Sequence, residues 1–101
     1  MALNIRWSPE AEEELDAIIN FIRLRWPEKI VVRFLDLLTY KLFLVSKFPR
    51  LAPQSSLQVG LFKLVISPQT SLLYQFNSEY IYIVTIFDNR MDPKRLEDKQ
   101  K

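Results

Sequence analysis

Apolar and polar positions alternate over residues 3–7, with Leu3, Ile5 and Trp7 set against Asn4 and Arg6. That is the period of a short half-buried strand. Ser8-Pro9-Glu10 follows, giving an N-cap, a proline suited to the first helical position and acids in the first turn. The period then lengthens. Ala11, Leu15, Ile18, Ile19 and Ile22 recur at helical spacing, with Glu12, Glu13, Glu14 and Asp16 largely on the opposite side. This helix should end near residues 23–25, where Arg23 and Arg25 suit the negative end of its dipole and Pro27 restricts Trp26. Pro27-Glu28 reopens the chain as a second helix to about residue 46. Val31, Phe34, Leu38, Leu42 and Val45 form one stripe of it. Ile30, Val32, Leu35, Leu37, Tyr40, Phe43 and Leu44 spread apolar surface around much of the remainder. A helix apolar nearly all round is buried on more than one side. In so small a domain, a partner is expected to cover part of it.

Residues 47–59 have no periodicity and read as an ordered surface loop. Residues 61–66 and 71–76 follow as strands joined by the turn Ser67-Pro68-Gln69-Thr70. Asn77-Ser78-Glu79 leads into a last strand at 80–87. That last run, almost wholly β-branched and aromatic, has the character of a strand covered on both faces in the middle of a sheet. The expected class is therefore α+β, in the order β-α-α-β-β-β, with both helices packed on one face of an antiparallel sheet. Strand alternation assigns Phe62, Leu64 and Ile66 to the helix side and Leu61, Lys63 and Val65 to the open side. On the last strand Ile81, Ile83, Thr85 and Phe87 would share one face, opposite Tyr80, Tyr82, Val84 and Ile86. Either way the open side carries large apolar residues, the mark of a binding surface.

A chain of 101 residues makes one domain. It is expected over 1–96, with a frayed polar tail at 97–101. The net charge of +2 and pI near 9.0 are mildly basic, short of the excess usual for sequence-independent nucleic-acid binding. With no cysteine, disulfides, thiol catalysis and thiolate metal sites are excluded. With no histidine, the commonest general base near neutrality and the commonest metal ligand are missing too. No metal or cofactor is expected. The N-terminus lacks a signal-peptide core and no apolar run reaches a membrane span, so a cytoplasmic location away from membranes is expected.

Candidate chemistry is sparse. Lys63 is the one charge inside the three later strand runs, placed to meet a phosphate or a partner's carboxylate, or simply solvated on a half-exposed sheet. Arg90, just past the last strand and held by Pro93, puts a cation at the sheet's rim, reinforced by Lys94 and Arg95 unless those two form an ordinary charged tail. The acids between Glu10 and Asp16 occupy a helix's first turns and solvent face, so catalysis is not assigned to them. Tyr40, Tyr74, Tyr80 and Tyr82 read as core aromatics without an adjacent base, and Gly60 alone makes no phosphate loop.

Several of these pieces resemble the RelE/ParE superfamily of type II toxin-antitoxin toxins, over nearly the whole chain. They are Trp7-Ser8-Pro9-Glu10-Ala11, Pro49, Gly60 before Leu61-Phe62-Lys63, Leu73-Tyr74, and Ile86-Phe87-Asp88-Asn89-Arg90-Met91-Asp92-Pro93. The resemblance implies a toxin neutralised by a cognate antitoxin, a role in plasmid stabilisation, and one of two activities. RelE-like members cleave messenger RNA on the ribosome without metal, whereas ParE-like members poison DNA gyrase. Metal-free cleavage needs groups to activate the 2′-hydroxyl, to stabilise the phosphorane and to protonate the leaving oxygen. Lys63 and Arg90 match such a nuclease. Val65 stands where it would have a second lysine, Ser71 and Leu72 where it would have an arginine, and Leu96 near an expected aromatic acid. In the chain's nearest-looking relatives a basic residue would be expected at Phe62 and a His-Asn pair around Gln69-Thr70, so the open side here is less polar. The expectation is thus a ParE-like gyrase binder with no catalytic residue of its own. Lys63, Arg90, Lys94, Arg95, Leu61, Val65 and Phe87 would form its binding surface. The alternatives are the ribosome-dependent nuclease, acting through Lys63 and Arg90, and a decayed, non-toxic antitoxin-binding module.

Overall fold

The computed structural model describes residues 2–56 and 58–91; Lys94, Arg95 and the expected tail lie outside them. The elements are β1 (Asn4–Trp7), α1 (Pro9–Arg25), α2 (Glu28–Lys47), β2 (Phe62–Val65), β3 (Thr70–Phe76) and β4 (Tyr80–Asp88). This is the expected order, and the strands form one sheet in the sequence β1-β4-β3-β2. β2, β3 and β4 make the antiparallel meander. The sheet as a whole is mixed, because β1 joins it parallel to β4, with Ile5 opposite Ile81 and Trp7 opposite Ile83. β4 therefore lies between β1 and β3, as its apolar run implied. None of the described helices is long and apolar enough to cross a membrane.

The junction between β1 and α1 shows how local sequence sets this geometry. The Ser8 hydroxyl oxygen accepts from the Ala11 N–H at 3.0 Å, capping α1, while the same hydroxyl donates to the Val84 carbonyl at 2.8 Å. The Ser8 N–H also donates to the Ile83 carbonyl at 2.9 Å. One residue thus ends β1, starts α1 and fixes both to β4. At its far end α1 stops at Trp26, whose extended backbone suits the proline behind it.

Both helices cover one face of the sheet. Ile18 and Ile22 of α1 and Val31, Phe34, Leu38 and Val45 of α2 meet Leu64, Leu72, Tyr74, Ile81, Ile83 and Ile86 in a single core. Each such side chain contributes about 1.5–3 kcal/mol on full burial. Tyr74 is wholly buried, and its hydroxyl donates to the Pro49 carbonyl at 2.6 Å, fastening the α2–β2 loop to the sheet. Val32, Tyr40 and Phe43 of α2 remain exposed, so the described residues do not cover all of that helix.

Simple alternation along β4 does not survive. Leu73 lies opposite Thr85 but Tyr74 opposite Ile83, so β4 carries one extra residue, Val84, at a bulge. Ile81 and Ile83 face the core as the pattern allowed, but beyond the bulge Ile86 and Asp88 take that side. Phe87 shares the other face with Ser71 and Val65. An inserted residue reverses the parity of everything after it.

Candidate functional site

Arg90 does not stand free at the rim. Its Nε–H donates to Asp88 Oδ1 at 2.9 Å and its Nη2–H to Oδ2 at 2.6 Å, a two-point pairing of guanidinium with carboxylate. The Arg90 backbone N–H adds a third bond to Oδ1 at 2.9 Å, and the Thr70 hydroxyl a fourth to Oδ2 at 2.7 Å. The Asp88 side chain is 0% exposed and that of Arg90 31%. Burial alone would push the Asp88 carboxyl up; the bonds from Arg90 and Thr70 outweigh it and hold the group below its ordinary range. The same pairing pushes Arg90 up. The guanidinium also lies 5.2 Å from the Trp26 ring centroid and 5.8 Å from that of Phe21, within cation–π range. Arg90 thus ties the end of β4 to the corner between the helices.

Lys63 belongs elsewhere. It shares the open-face row with Leu73 and Thr85, whereas Asp88 and Thr70 form a row on the helix side. Lys63 lines a hollow of about 230 Å³ with Lys41, Leu44, Leu51 and Val65, beside the margin of β2. Arg90 lines a separate one of about 210 Å³ with Arg33, Phe34 and Gln69. The two cations expected to cooperate on a phosphate do not converge.

Of the other expected binding residues, Val65 is 49% exposed and Phe87 is half-buried on the open face. Leu61 is a correction: it is only 4% exposed. Residues 53–55, taken from sequence as plain loop, run along the start of β2. The Ser55 N–H donates to the Leu61 carbonyl at 2.7 Å, the Lys63 N–H to the Pro53 carbonyl at 2.9 Å, and Gln54 bridges to Phe62. Ladder pairing satisfies backbone groups that an edge strand would leave open, and it runs alongside the buried Leu61.

One residue set aside in the sequence is buried. Glu14, 7% exposed, accepts from the Thr85 hydroxyl at 2.7 Å and from the Ile86 N–H at 3.2 Å. β1 runs out opposite Ile83, so β4 has no described strand on that side beyond it, and a carboxylate from α1 supplies the acceptor. The available signal was spacing: Glu14 lies three and four residues from Ala11 and Ile18, on the apolar stripe.

The arrangement offers little for acid–base chemistry. The Tyr74 phenol is pushed up to about 12 by burial, and its proton is already committed to Pro49. What the surface offers is contact area: Val32, Tyr40 and Phe43 along α2, continued by Leu51 and Val65 beside the Lys63 hollow.

Known proteins fit this geometry. A model of the ParE toxin of the type II toxin-antitoxin system parDE matches residues 5–93. The chromosomal ParDE toxin-antitoxin system of P. aeruginosa superposes with a TM-score of 0.71 at 16% identity, over 86% of this chain and 96% of that one. The DinJ–YafQ complex of E. coli superposes at 0.60 and 13%, over 89% and 96% respectively. The YoeB dimer of Staphylococcus aureus reaches 0.52 and 20%, over 86% and 97%. No curated protein matches the sequence significantly. At such identities the structures establish the fold alone, which is that of RelE/ParE toxins. The family match extends from β1 past the end of β4, across every element described above, and the chain belongs to the ParE toxin family of type II toxin-antitoxin systems.

Proposed function

We propose that this toxin acts in the cytoplasm by binding DNA gyrase rather than by cleaving RNA. A cognate antitoxin would silence it by lying across the apolar surface of α2 and the β2 margin. The observation that carries the choice is the engagement of Arg90. Its guanidinium is spent on a wholly buried Asp88 on the helix side of the sheet. Lys63 stands on the other face, with Val65 at the next open-face position of β2 and Lys41 of α2 across its own hollow, far from Arg90. A phosphorane would need preorganised charge aimed at one point, and these residues offer none. The ParE family match supports the same choice. A ribosome-dependent nuclease would first have to break Arg90 away from Asp88. A decayed antitoxin-binding module would keep the surface and lose the toxicity.

Induction in cells, with purified gyrase assayed in parallel, tests the proposal. Filamentous cells, a DNA-damage response and inhibited supercoiling are expected. Immediate arrest of translation with cleaved transcripts would overturn it in favour of the nuclease. Harmless induction without any antitoxin would overturn it in favour of the decayed module.

A further inference from the structure

At the start of β4, eight residues and so roughly 26 Å from Asp88, lies an open hollow of about 600 Å³. It falls within the range of small-molecule sites, roughly 300–1,000 Å³. Its lining differs from that of the apolar hollows beside the helices. Tyr80 and Tyr82 alternate onto one face of β4, and Gln75 lies directly opposite Tyr82 on β3. Asn77 closes the end; its Oδ1 is occupied by the Glu79 and Tyr80 N–H groups, which leaves its amide NH2 to donate. Arg50 is on the wall, its guanidinium 5.4 Å from the Phe76 ring centroid. Arg6 adds a second cation 4.7 Å from the Tyr80 ring centroid. At the mouth, Gly60 holds a left-handed φ of +86° with nothing within 4 Å of where a Cβ would stand, so backbone there is open to close approach. Among the described residues no carboxylate lines the hollow, although Glu79 sits in the neighbouring turn.

Phenol rings, amides that read a hydrogen-bonding edge, and guanidinium on a wall free of carboxylates together describe one kind of ligand. It has a flat π face, polar edges and negative charge. Aromatic rings beside arginine are how proteins hold unpaired bases. An apolar helix would find too many polar groups here, and a cation would find no anionic ligand. We propose that this hollow binds a nucleoside phosphate, with the base against Tyr80 and Tyr82 and the phosphate at Arg50. The site lies at the opposite end of the sheet from Arg90 and is independent of the gyrase proposal. A free nucleotide and an unpaired nucleotide within a single strand share this chemistry.

The test is an NMR titration of the folded full chain, followed through backbone amides, with AMP, adenosine, inorganic phosphate and short single-stranded oligonucleotides. Saturable shifts at Gly60, Gln75, Asn77 and Tyr82 are expected, with AMP binding more tightly than adenosine. Replacing Tyr82→Ala should weaken binding roughly tenfold, the scale of one base–aromatic stack, while Tyr82→Phe largely preserves it. Arg50→Ala should erase the preference for AMP over adenosine, and Lys29→Ala, an equal loss of charge on exposed α2, should change nothing. Tighter binding of oligonucleotides than AMP would identify a strand as the source, and the reverse a free nucleotide. No saturable shift up to roughly 10 mM, or shifts unaffected by Tyr82→Ala and Arg50→Ala, would overturn the proposal. Toxicity is not the readout, so failure here leaves the gyrase proposal standing.

Discussion

Replacing Arg90→Ala should destabilise the fold even though the side chain sits at the sheet's rim. Two of the four hydrogen bonds to the Asp88 carboxylate come from the guanidinium and would be lost; those from the Thr70 hydroxyl and the Arg90 backbone would remain. Breaking a buried ion pair outright costs about 3–5 kcal/mol, because a charge is left uncompensated. Here half the bonds survive, and the guanidinium is 31% exposed, so water already screens part of its attraction. The expected loss is therefore about 2 kcal/mol. For a domain of this length that lowers Tm by roughly 8–16 °C. Urea denaturation followed by circular dichroism measures it, and a double-mutant cycle with Asp88→Asn isolates the pair. Because the neutral amide of that variant leaves no charge to strand, Arg90→Ala should cost less than half as much in the Asp88→Asn background. An Arg90→Ala protein within about 0.5 kcal/mol of the parent, or an equal cost in both backgrounds, would refute the latch and restore Arg90 as a free cation.

Acid should act through the same carboxylate. The folded Asp88 is held below its ordinary value of about 3.9, so it binds its proton less tightly than in the unfolded chain. Its stabilising contribution is then complete above about pH 4 and is lost as pH falls through the lower folded value. The stability gap between the parent and Asp88→Asn should accordingly be constant from neutrality to about pH 5 and narrow below 4; a gap that widened in acid would contradict the sign. Glu14→Ala should cost about 2–3 kcal/mol by removing the acceptor that the Ile86 N–H and the Thr85 hydroxyl share. Glu14→Gln, which retains an acceptor oxygen, should recover most of that in the same denaturation assay, and Glu13→Ala on the exposed face should be nearly silent. Gly60→Ala should lose about 1 kcal/mol from its left-handed φ rather than from any clash; a denaturation midpoint identical to the parent's would show that the turn can relax.

The element order was legible because each boundary carries its own chemistry. Ser8-Pro9 opens α1 and Pro27 separates the helices. An almost unbroken β-branched and aromatic run marks β4 as interior, which the structure bears out. What escaped was tertiary. Pairing of β1 with β4 joins residues far apart in the chain, and no local pattern encodes it. The bulge at Val84 is a single inserted residue in a run apolar on both faces, so alternation gave no sign of the shift. Leu61 was placed outside by strand alternation alone, and the strip at 53–55, whose backbone pairs with β2, has no strand-like period to announce itself. The partner of Arg90 was in plain view two residues upstream. Asp88-Asn89-Arg90 reads as a short-range ion pair once Asp88 is known to turn inward, and only the bulge makes it do so.

The position of β4 between β1 and β3 has a consequence in time. Of the described strands, the earliest made has its ladder partner in the latest, so β1 and both helices must wait for residues 80–88 before the sheet can close. At about 5–20 residues per second, that wait lasts several seconds from the moment β1 is made. Until then the apolar faces of α1 and α2 have only half a floor, and the Ser8 hydroxyl and the Glu14 carboxylate have no acceptor or donor on β4 to meet. A nascent chain stalled anywhere short of β4 lacks the strand that joins β1 to β3, and has no latch. Synthesis of β4 itself becomes the step that arms the toxin.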